Sequence, residues 1–309
     1  MKNNVVFLML CGLSGSGKSY MAQDICNRFG YALISSDSYR EQEYGDEKIQ
    51  GDNGKLFEKI HRDILEKLNS GISVVFDATN ITYKTRVPLL EKVSKISGVE
   101  KKAIVVATQY EVCQRNNKNR SRIIPEYVIE RQWKQFQMPQ YNEGFDHIEL
   151  AFMEFHAPDY NATEYMNSIM YFEQDNPHHD MTLGEHIISV MGNVARLGGS
   201  ELLLQAALYH DNGKRFTKVF KNTRGEPSEI AHYFGHPECG AYEAMFYLMV
   251  NTNFNYEQII WITGIIQYHM RLYACSTEKA KGKLLRQVGE RMYSELVLLN
   301  EADKEGKKI

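Results

Sequence analysis

Gly12-Leu13-Ser14-Gly15-Ser16-Gly17-Lys18-Ser19 lies between an apolar run, Val5 to Cys11, and a stretch of helical character, Tyr20 to Arg28. Strand, glycine loop and helix in that order give G-x-x-x-x-G-K-[ST] the context of a phosphate site. Gly12, Gly15 and Gly17, with Ser14 and Ser16 between them, let backbone N–H groups turn inward toward the positive end of the helix. Lys18 then reaches the β- and γ-phosphates of ATP, and the Ser19 hydroxyl sits on Mg²⁺. The N-terminal half is expected to be α/β and to bind a nucleoside triphosphate.

With 309 residues the chain suits two domains, and its 43% hydrophobic and 24% charged residues exclude extensive disorder. A net charge of −3 leaves nucleic acids and small molecules open as partners, so any nucleic-acid contact must use local basic patches. The five cysteines (Cys11, Cys26, Cys113, Cys239, Cys275) include no C-x-x-C pair, which points to a reducing compartment and away from a thiolate metal site. Met1-Lys2 before the apolar run imitates a signal peptide, but the run is short and feeds into the glycine loop, so it reads as a buried strand. No stretch approaches the roughly 18 apolar residues of a membrane span. A soluble, cytoplasmic protein is expected.

Further strands follow the loop helix. Tyr31 to Ser35 reads as a second buried strand delivering Ser36-Asp37-Ser38-Tyr39-Arg40 to the edge that holds the loop. Phosphoryl transfer to a hydroxyl needs a carboxylate for the proton and a cation for an anionic acceptor, and Asp37 with Arg40 supplies both types. Taken alone, D-x-x-R after a strand is more often a solvated cap. Leu56, Ile60, Ile64 and Leu68 form a core-facing helical stripe. Ile72 to Phe76 reads as a buried strand ending in Asp77, a Walker-B arrangement that orients Mg²⁺. After a strand at 102–107, Arg115, Lys118, Arg120 and Arg122 crowd eight residues, placed where a lid closes over a transferring phosphate. His147 to Phe152 reads as a last edge strand.

The ordered set GLSGSGKS, SSDSYR, VVFDATN, RNNKNR and Glu143-Gly144-Phe145-Asp146 resembles the kinase domain of phage-type 5′-hydroxyl polynucleotide kinases over about the first 150 residues. The resemblance implies a parallel sheet of adenylate-kinase type. It implies that Asp37 is the general base, that Arg40 holds the phosphate beside the acceptor hydroxyl, that Asp77 lies near the metal, and that Arg115 or Arg120 covers the donor phosphates. Relatives that phosphorylate other small hydroxyl compounds leave the acceptor less defined than the reaction.

The connector His156-Ala157-Pro158-Asp159-Tyr160-Asn161 sets the expected domains at 1–155 and 156–309, the second all-α. Eight of the ten histidines lie after residue 150. Thr182-Leu183-Gly184-Glu185 is a capping box that starts a helix bearing His186. His210-Asp211 ends an apolar run, His236 follows Phe234-Gly235, His269 follows the run 259–268, and Asp303 lies near the end of the last helix. Imidazoles and carboxylates so mixed suit Mn, Fe, Co, Ni or Zn better than Ca, with Mg admissible. A bound cation lowers the pKa of its water and makes a nucleophile for phosphorus. His186, His210-Asp211 and Asp303 resemble the H…HD…D signature of the HD phosphohydrolase superfamily, across roughly residues 170 to 309. His236 and His269 stand where two-metal members carry extra ligands, so one or two ions are expected. Asn212 departs from the usual apolar residue of HD-x-G-K, which puts local packing or a substrate contact in question. His178, His179 and His232 fit no ligand position.

No Asp-x-Asp occurs, so an aspartate-nucleophile phosphatase is not expected. The two resemblances together imply a bifunctional end-healing enzyme for RNA, with DNA also open. Its kinase would act on 5′-hydroxyl ends and its HD domain on 2′, 3′ or 2′,3′-cyclic phosphates, with a separate ligase as partner. The rivals are a small-molecule kinase joined to a nucleotide phosphohydrolase, and a kinase with a non-catalytic RNA-binding HD module.

Overall fold

The computed structural model describes residues 5–45, 51–120, 122–177 and 180–307. The chain divides into two compact units: Met1–Gln132 with Pro139–Phe155, and Trp133–Met138 with His156–Ile309.

A run such as Val5 to Cys11 has no polar face, so as a strand it must be covered on both sides. It forms β1 (Val5–Cys11), buried from Val6 onward, at the centre of a five-stranded parallel sheet. Its neighbours are β3 (Val74–Asp77) and β4 (Val99–Ala107), and the outer strands are β2 (Ala32–Ser35) and β5 (His147–Phe152). The connecting helices are α1 (Lys18–Phe29), α2 (Ser36–Tyr44), α3 (Asn53–Asn69), α4 (Tyr83–Val93), α5 (Tyr110–Lys118) and α6 (Glu126–Trp133). On one face Ala22, Met21 and Ile25 of α1 pack on Val6, Leu8, Leu10 and Val75. The stripe Leu56, Ile60, Ile64 and Leu68 of α3 is buried throughout. Register sets the working edge: Leu10 pairs with Asp77, and Asp77 with Ser35, so the ends of β1, β3 and β2 lie side by side. One expectation is corrected. β2 is not a buried strand but an edge strand with β3 as its single neighbour, which leaves Leu33 exposed.

The second unit is mainly helical, with α7 (Ala162–Met170), α8 (Leu183–Arg196), α9 (Glu201–Tyr209), α10 (Lys214–Thr217), α11 (His236–Asn251), α12 (Tyr256–Tyr268) and α13 (Glu278–Glu305). From Cys239 to Leu248 every residue of α11 is buried, the pattern of a helix enclosed on all sides. The segment 133–138 belongs to this unit: Phe136 packs edge-on against Tyr242, and Met138 exchanges two backbone hydrogen bonds with the Gln267 side chain. The expectation of an all-α second half is corrected by an antiparallel hairpin, β6 (Lys218–Lys221) and β7 (Pro227–Tyr233). Its side chains are mostly half-buried or exposed, as suits a two-stranded ribbon, and offer no helical stripe. Among the described residues, no helix is long and apolar enough to cross a membrane.

Candidate active sites

In the first unit the glycine loop is pinned from behind. Gly15 has φ +85°, and a Cβ there would stand 2.3 Å from the Cys113 carbonyl oxygen, so only glycine fits. Asn116 Nδ2 donates to the Gly15 carbonyl at 3.1 Å, Thr108 Oγ1 to the Ser16 carbonyl at 2.8 Å, and Ser14 N–H to Gln132 Oε1 at 2.9 Å. Ser14, Gly15, Gly17, Lys18 and Ser19 line a cavity of about 870 Å³, while Gly12 and Ser16 do not reach it. Lys18 is buried, with Nζ donating to the Leu13 carbonyl at 2.7 Å. Burial lowers its pKa below the usual lysine range, and Asp77 opposes that shift. Burial likewise raises the Asp77 carboxyl, against Lys18 and a hydrogen bond from Ser19.

Across this cavity Asp37, in the first turn of α2, is gripped twice. Arg40 Nη1 and Arg122 Nη1 both stand 3.0 Å from the same oxygen, Oδ1. Arg120 lines the cavity as well. Arg115 does not: it is exposed and pairs with Glu154. Arg122, to which the sequence assigns no role beyond the basic run, is thus a member of the site. Its signal was weak because a basic loop has no period to show which of its cations turns inward.

The VVFDATN segment is buttressed by a buried ion pair. Arg86 Nε and Nη2 donate to the two carboxylate oxygens of Glu143, each at 2.6 Å, and Arg86 Nη1 donates to the Asn80 carbonyl at 2.9 Å. Asn80 Nδ2 in turn holds the Leu10 carbonyl at the end of β1. Glu143 is thus a structural brace. Removing one partner of a buried pair leaves the other charge uncompensated, so Glu143→Ala is expected to lower unfolding free energy by about 3–5 kcal/mol, measured by urea denaturation.

In the second unit five elements deliver one cluster. Thr182 caps α8 through the predicted box with Glu185 and sets His186 in the first turns. His210 and Asp211 follow α9, His236 opens α11, His269 follows α12, and Asp303 lies in the last turns of α13. Gly213 makes the convergence achievable: a Cβ there would fall 2.0 Å from the His236 carbonyl oxygen. Asp211 is the centre. Its Oδ2 lies 3.4 Å from His186 Nε2 and 3.3 Å from His210 Nε2, and its Oδ1 lies 3.3 Å from His236 Nε2 and 3.5 Å from His269 Nε2. Asp303 Oδ1 lies 3.2 Å from His186 Nε2, and Tyr273 Oη donates to Asp303 Oδ2 at 2.7 Å.

The tautomers follow from the partners. Nδ1 of His210, His236 and His269 each meets a backbone carbonyl (Ala207, Tyr233, Ile266) at 2.7 to 2.8 Å. A carbonyl only accepts, so Nδ1 carries the proton and Nε2 turns a lone pair inward. For His236 and His269 that lone pair faces Asp211 Oδ1, acceptor against acceptor, and among the described residues both buried Nε2 atoms have no hydrogen-bond partner. Such an arrangement is costly unless a cation lies between the two acceptors. Two triads, His186-His210-Asp211 and Asp211-His236-His269, have ligand atoms mutually within 4.8 Å. The donor set fits one divalent ion, or two bridged by Asp211.

Burial would raise the Asp211 carboxyl, but Lys214 and His210 hold it well below the usual range. Burial lowers His236, which keeps it neutral. His186 goes the other way: burial opposes protonation, yet hydrogen bonds to Asp211 and Asp303 raise its pKa. Lys214 Nζ, 2.7 Å from Asp211 Oδ2 and 2.8 Å from Gln174 Oε1, is a further member of the site, the lysine of the HD-x-G-K stretch. Asn212 has a packing role. It is fully buried, and its Oδ1 accepts from Arg215 Nε at 3.1 Å, holding that guanidinium among the rings of Tyr165, Phe216 and Tyr247. His232 lines the cavity beside the cluster, whereas His178 and His179 lie outside the described residues.

Residues 7–139 match the family described as AAA domain. No curated protein matches the chain significantly. Among solved structures, a gluconokinase from Sinorhizobium meliloti 1021 is 18% identical at a TM-score of 0.36, over 49% of this chain and 86% of that one. The APS kinase of Mycobacterium tuberculosis is 18% identical at 0.37, over 49% and 91%. A chain of the Pnkp1/Rnl/Hen1 RNA repair complex is 19% identical at 0.36, over 44% and 46%. At these identities and scores the likenesses carry no argument about substrate. The N-terminal unit has a kinase-like P-loop fold built on a five-stranded parallel sheet, which supports phosphoryl transfer and implies ATP with Mg²⁺.

Proposed function

We propose that the chain is a bifunctional nucleic-acid end-healing enzyme, a 5′-hydroxyl polynucleotide kinase joined to a metal-dependent HD-type phosphohydrolase acting on 2′, 3′ or 2′,3′-cyclic phosphate ends, chiefly of RNA. The observation that carries it is a pairing within one chain. Asp37, gripped by two arginines, lines the Lys18 and Asp77 cavity of the first unit, and Asp211 stands among four imidazoles in the second.

In the kinase, Lys18 neutralises the donor phosphates, and Ser19 with Asp77 holds the magnesium side of the site. Arg40 and Arg122 fix Asp37 through Oδ1, and their positive charge favours the phosphate next to the acceptor hydroxyl. Asp37 Oδ2 takes the hydroxyl proton as the oxygen attacks the γ-phosphorus, the bond from that phosphorus to the β,γ-bridging oxygen breaks and ADP leaves, and Arg120 meets the charge on the transferring group. Two arginines beside the base suit an acceptor that is itself a phosphodiester better than a neutral sugar. In the HD unit, His186, His210, Asp211 and Asp303 would hold one cation, and His236 and His269 would complete a second position. A cation bound there supplies Lewis-acid activation of water toward phosphorus. Lys214 keeps Asp211 anionic and ready to ligate. A broken RNA with a cyclic phosphate and a 5′-hydroxyl needs both repairs before ligation, by a separate ligase.

The reading is tested by transfer of labelled phosphate from ATP to a panel of acceptors. A 5′-hydroxyl oligoribonucleotide and a nucleoside 3′-phosphate should be phosphorylated, and free sugars should not. Preference for a free sugar or nucleoside would replace the polynucleotide reading with the small-molecule one. Because a point charge cannot replace a bidentate fork, Arg40→Lys and Arg122→Lys should each cost roughly 10-fold or more in kcat/KM on the 3′-phosphorylated acceptor.

A further inference from the structure

The cavity beside Asp211 is about 220 Å³, below the roughly 300–1,000 Å³ that encloses a whole ligand. It admits the phosphorylated end of a nucleotide and leaves the base at the rim. The rim is aromatic. β7 ends at Tyr233 and the chain turns into α11 at His236, so the short stretch His232, Phe234 and His236 carries two outer rings and one imidazole of the cluster. The rings of His232 and Phe234 are stacked, centroids 5.4 Å apart and planes 7° from parallel. His232 Nε2 meets Ser228 Oγ at 3.2 Å, which orients its ring. Gly235 has φ +79°, and a Cβ there would stand 2.6 Å from the Lys134 carbonyl oxygen, so the turn after Phe234 is fixed. Phe234 nevertheless remains 42% exposed while lining the cavity, with Lys307 on another element of the same lining. Single exposed aromatics are ordinary. A pre-stacked pair beside lysines and a phosphate-handling cluster matches one chemistry, a nucleobase attached to a phosphate.

We propose that His232 and Phe234 form a base-stacking platform that holds the nucleobase of the 3′-terminal nucleotide while its phosphate lies at the Asp211 cluster. The proposal rests on the phosphohydrolase reading above and narrows it: the substrates are nucleoside 2′- or 3′-phosphate ends, taken with little preference among bases because every base has a π-face.

Two measurements test it. The first is the ratio of kcat/KM for adenosine 3′-phosphate to that for glycerol 2-phosphate, which has no base. The ratio should be high in the wild type, fall roughly 10-fold or more in Phe234→Ala, and recover in Phe234→Trp. The second is the fluorescence of 2-aminopurine riboside 3′-phosphate, read on mixing before turnover. Stacking should quench it in the wild type and in Phe234→Trp, and not in Phe234→Ala. An equal quench in wild type and Phe234→Ala, or a wild-type ratio near one, overturns the platform even if the nucleotide is hydrolysed. A wild type that hydrolyses neither phosphoester counts against the phosphohydrolase reading, and the quench then decides the platform by itself.

Discussion

Lys18→Ala is expected to abolish 5′-phosphorylation, with a loss of at least about 10²–10³ in rate, as befits removal of a buried cation from the charge developing on the transferred phosphoryl group. Asp37→Ala should cost on the order of 10²–10⁴ as a lost general base. The two defects differ in kind. Lys18 faces the donor side, so its loss should also weaken ATP binding, read directly by titration calorimetry. Among the described residues Asp37 forms ion pairs with Arg40 and Arg122, on the acceptor side, so its loss should leave ATP affinity within about threefold. In both variants the processing of 3′ ends should continue, because none of its residues belongs to the first unit. A wild-type kinase rate in Asp37→Ala would remove that carboxylate from the mechanism.

The second large effect falls on Asp211→Ala. Among the described residues Asp211 is common to both candidate metal-binding triads, so its removal takes a carboxylate from each. Metal content and phosphohydrolase activity should fall together, and a chelator should reproduce the loss in the wild type. Kinase activity with Mg²⁺ present should survive. Counting the metal sharpens the test: purified wild type should carry about two ions and His269→Ala about one, with residual activity. A wild type free of metal under all loading conditions, with no chelator-sensitive activity, would make the second unit a binding module.

What the sequence disclosed and what it hid have physical causes. The β1 run, the α3 stripe and the Thr182 capping box depend on neighbours within a few residues, so they could be read locally. The glycine loop was legible because its conformational demands permit few residues. Whether β2 lies inside the sheet or at its edge depends on strand order, which local pattern does not encode, and Leu33 gave no warning. Arg122 and Lys214 were visible as cations, but their turn toward Asp37 and Asp211 is a tertiary fact. The segment 133–138 was illegible for a similar reason. Trp133, Phe136 and Met138 are buried in the second unit, yet six residues are too few to show a period. Asn212 was noticed because it broke a pattern, and its explanation lay three residues away in Arg215.

The most direct measurement takes an RNA hairpin cleaved to leave a 2′,3′-cyclic phosphate and a 5′-hydroxyl, incubates it with ATP, Mg²⁺ and Mn²⁺ or Ni²⁺, and scores both ends of the break. The expected product carries a 5′-phosphate and a 3′-hydroxyl in the wild type. Lys18→Ala should convert the 3′ end alone, and Asp211→Ala the 5′ end alone. Both ends left unchanged by the wild type, while the same preparation transfers phosphate from ATP to a free sugar or nucleoside, would contradict the account.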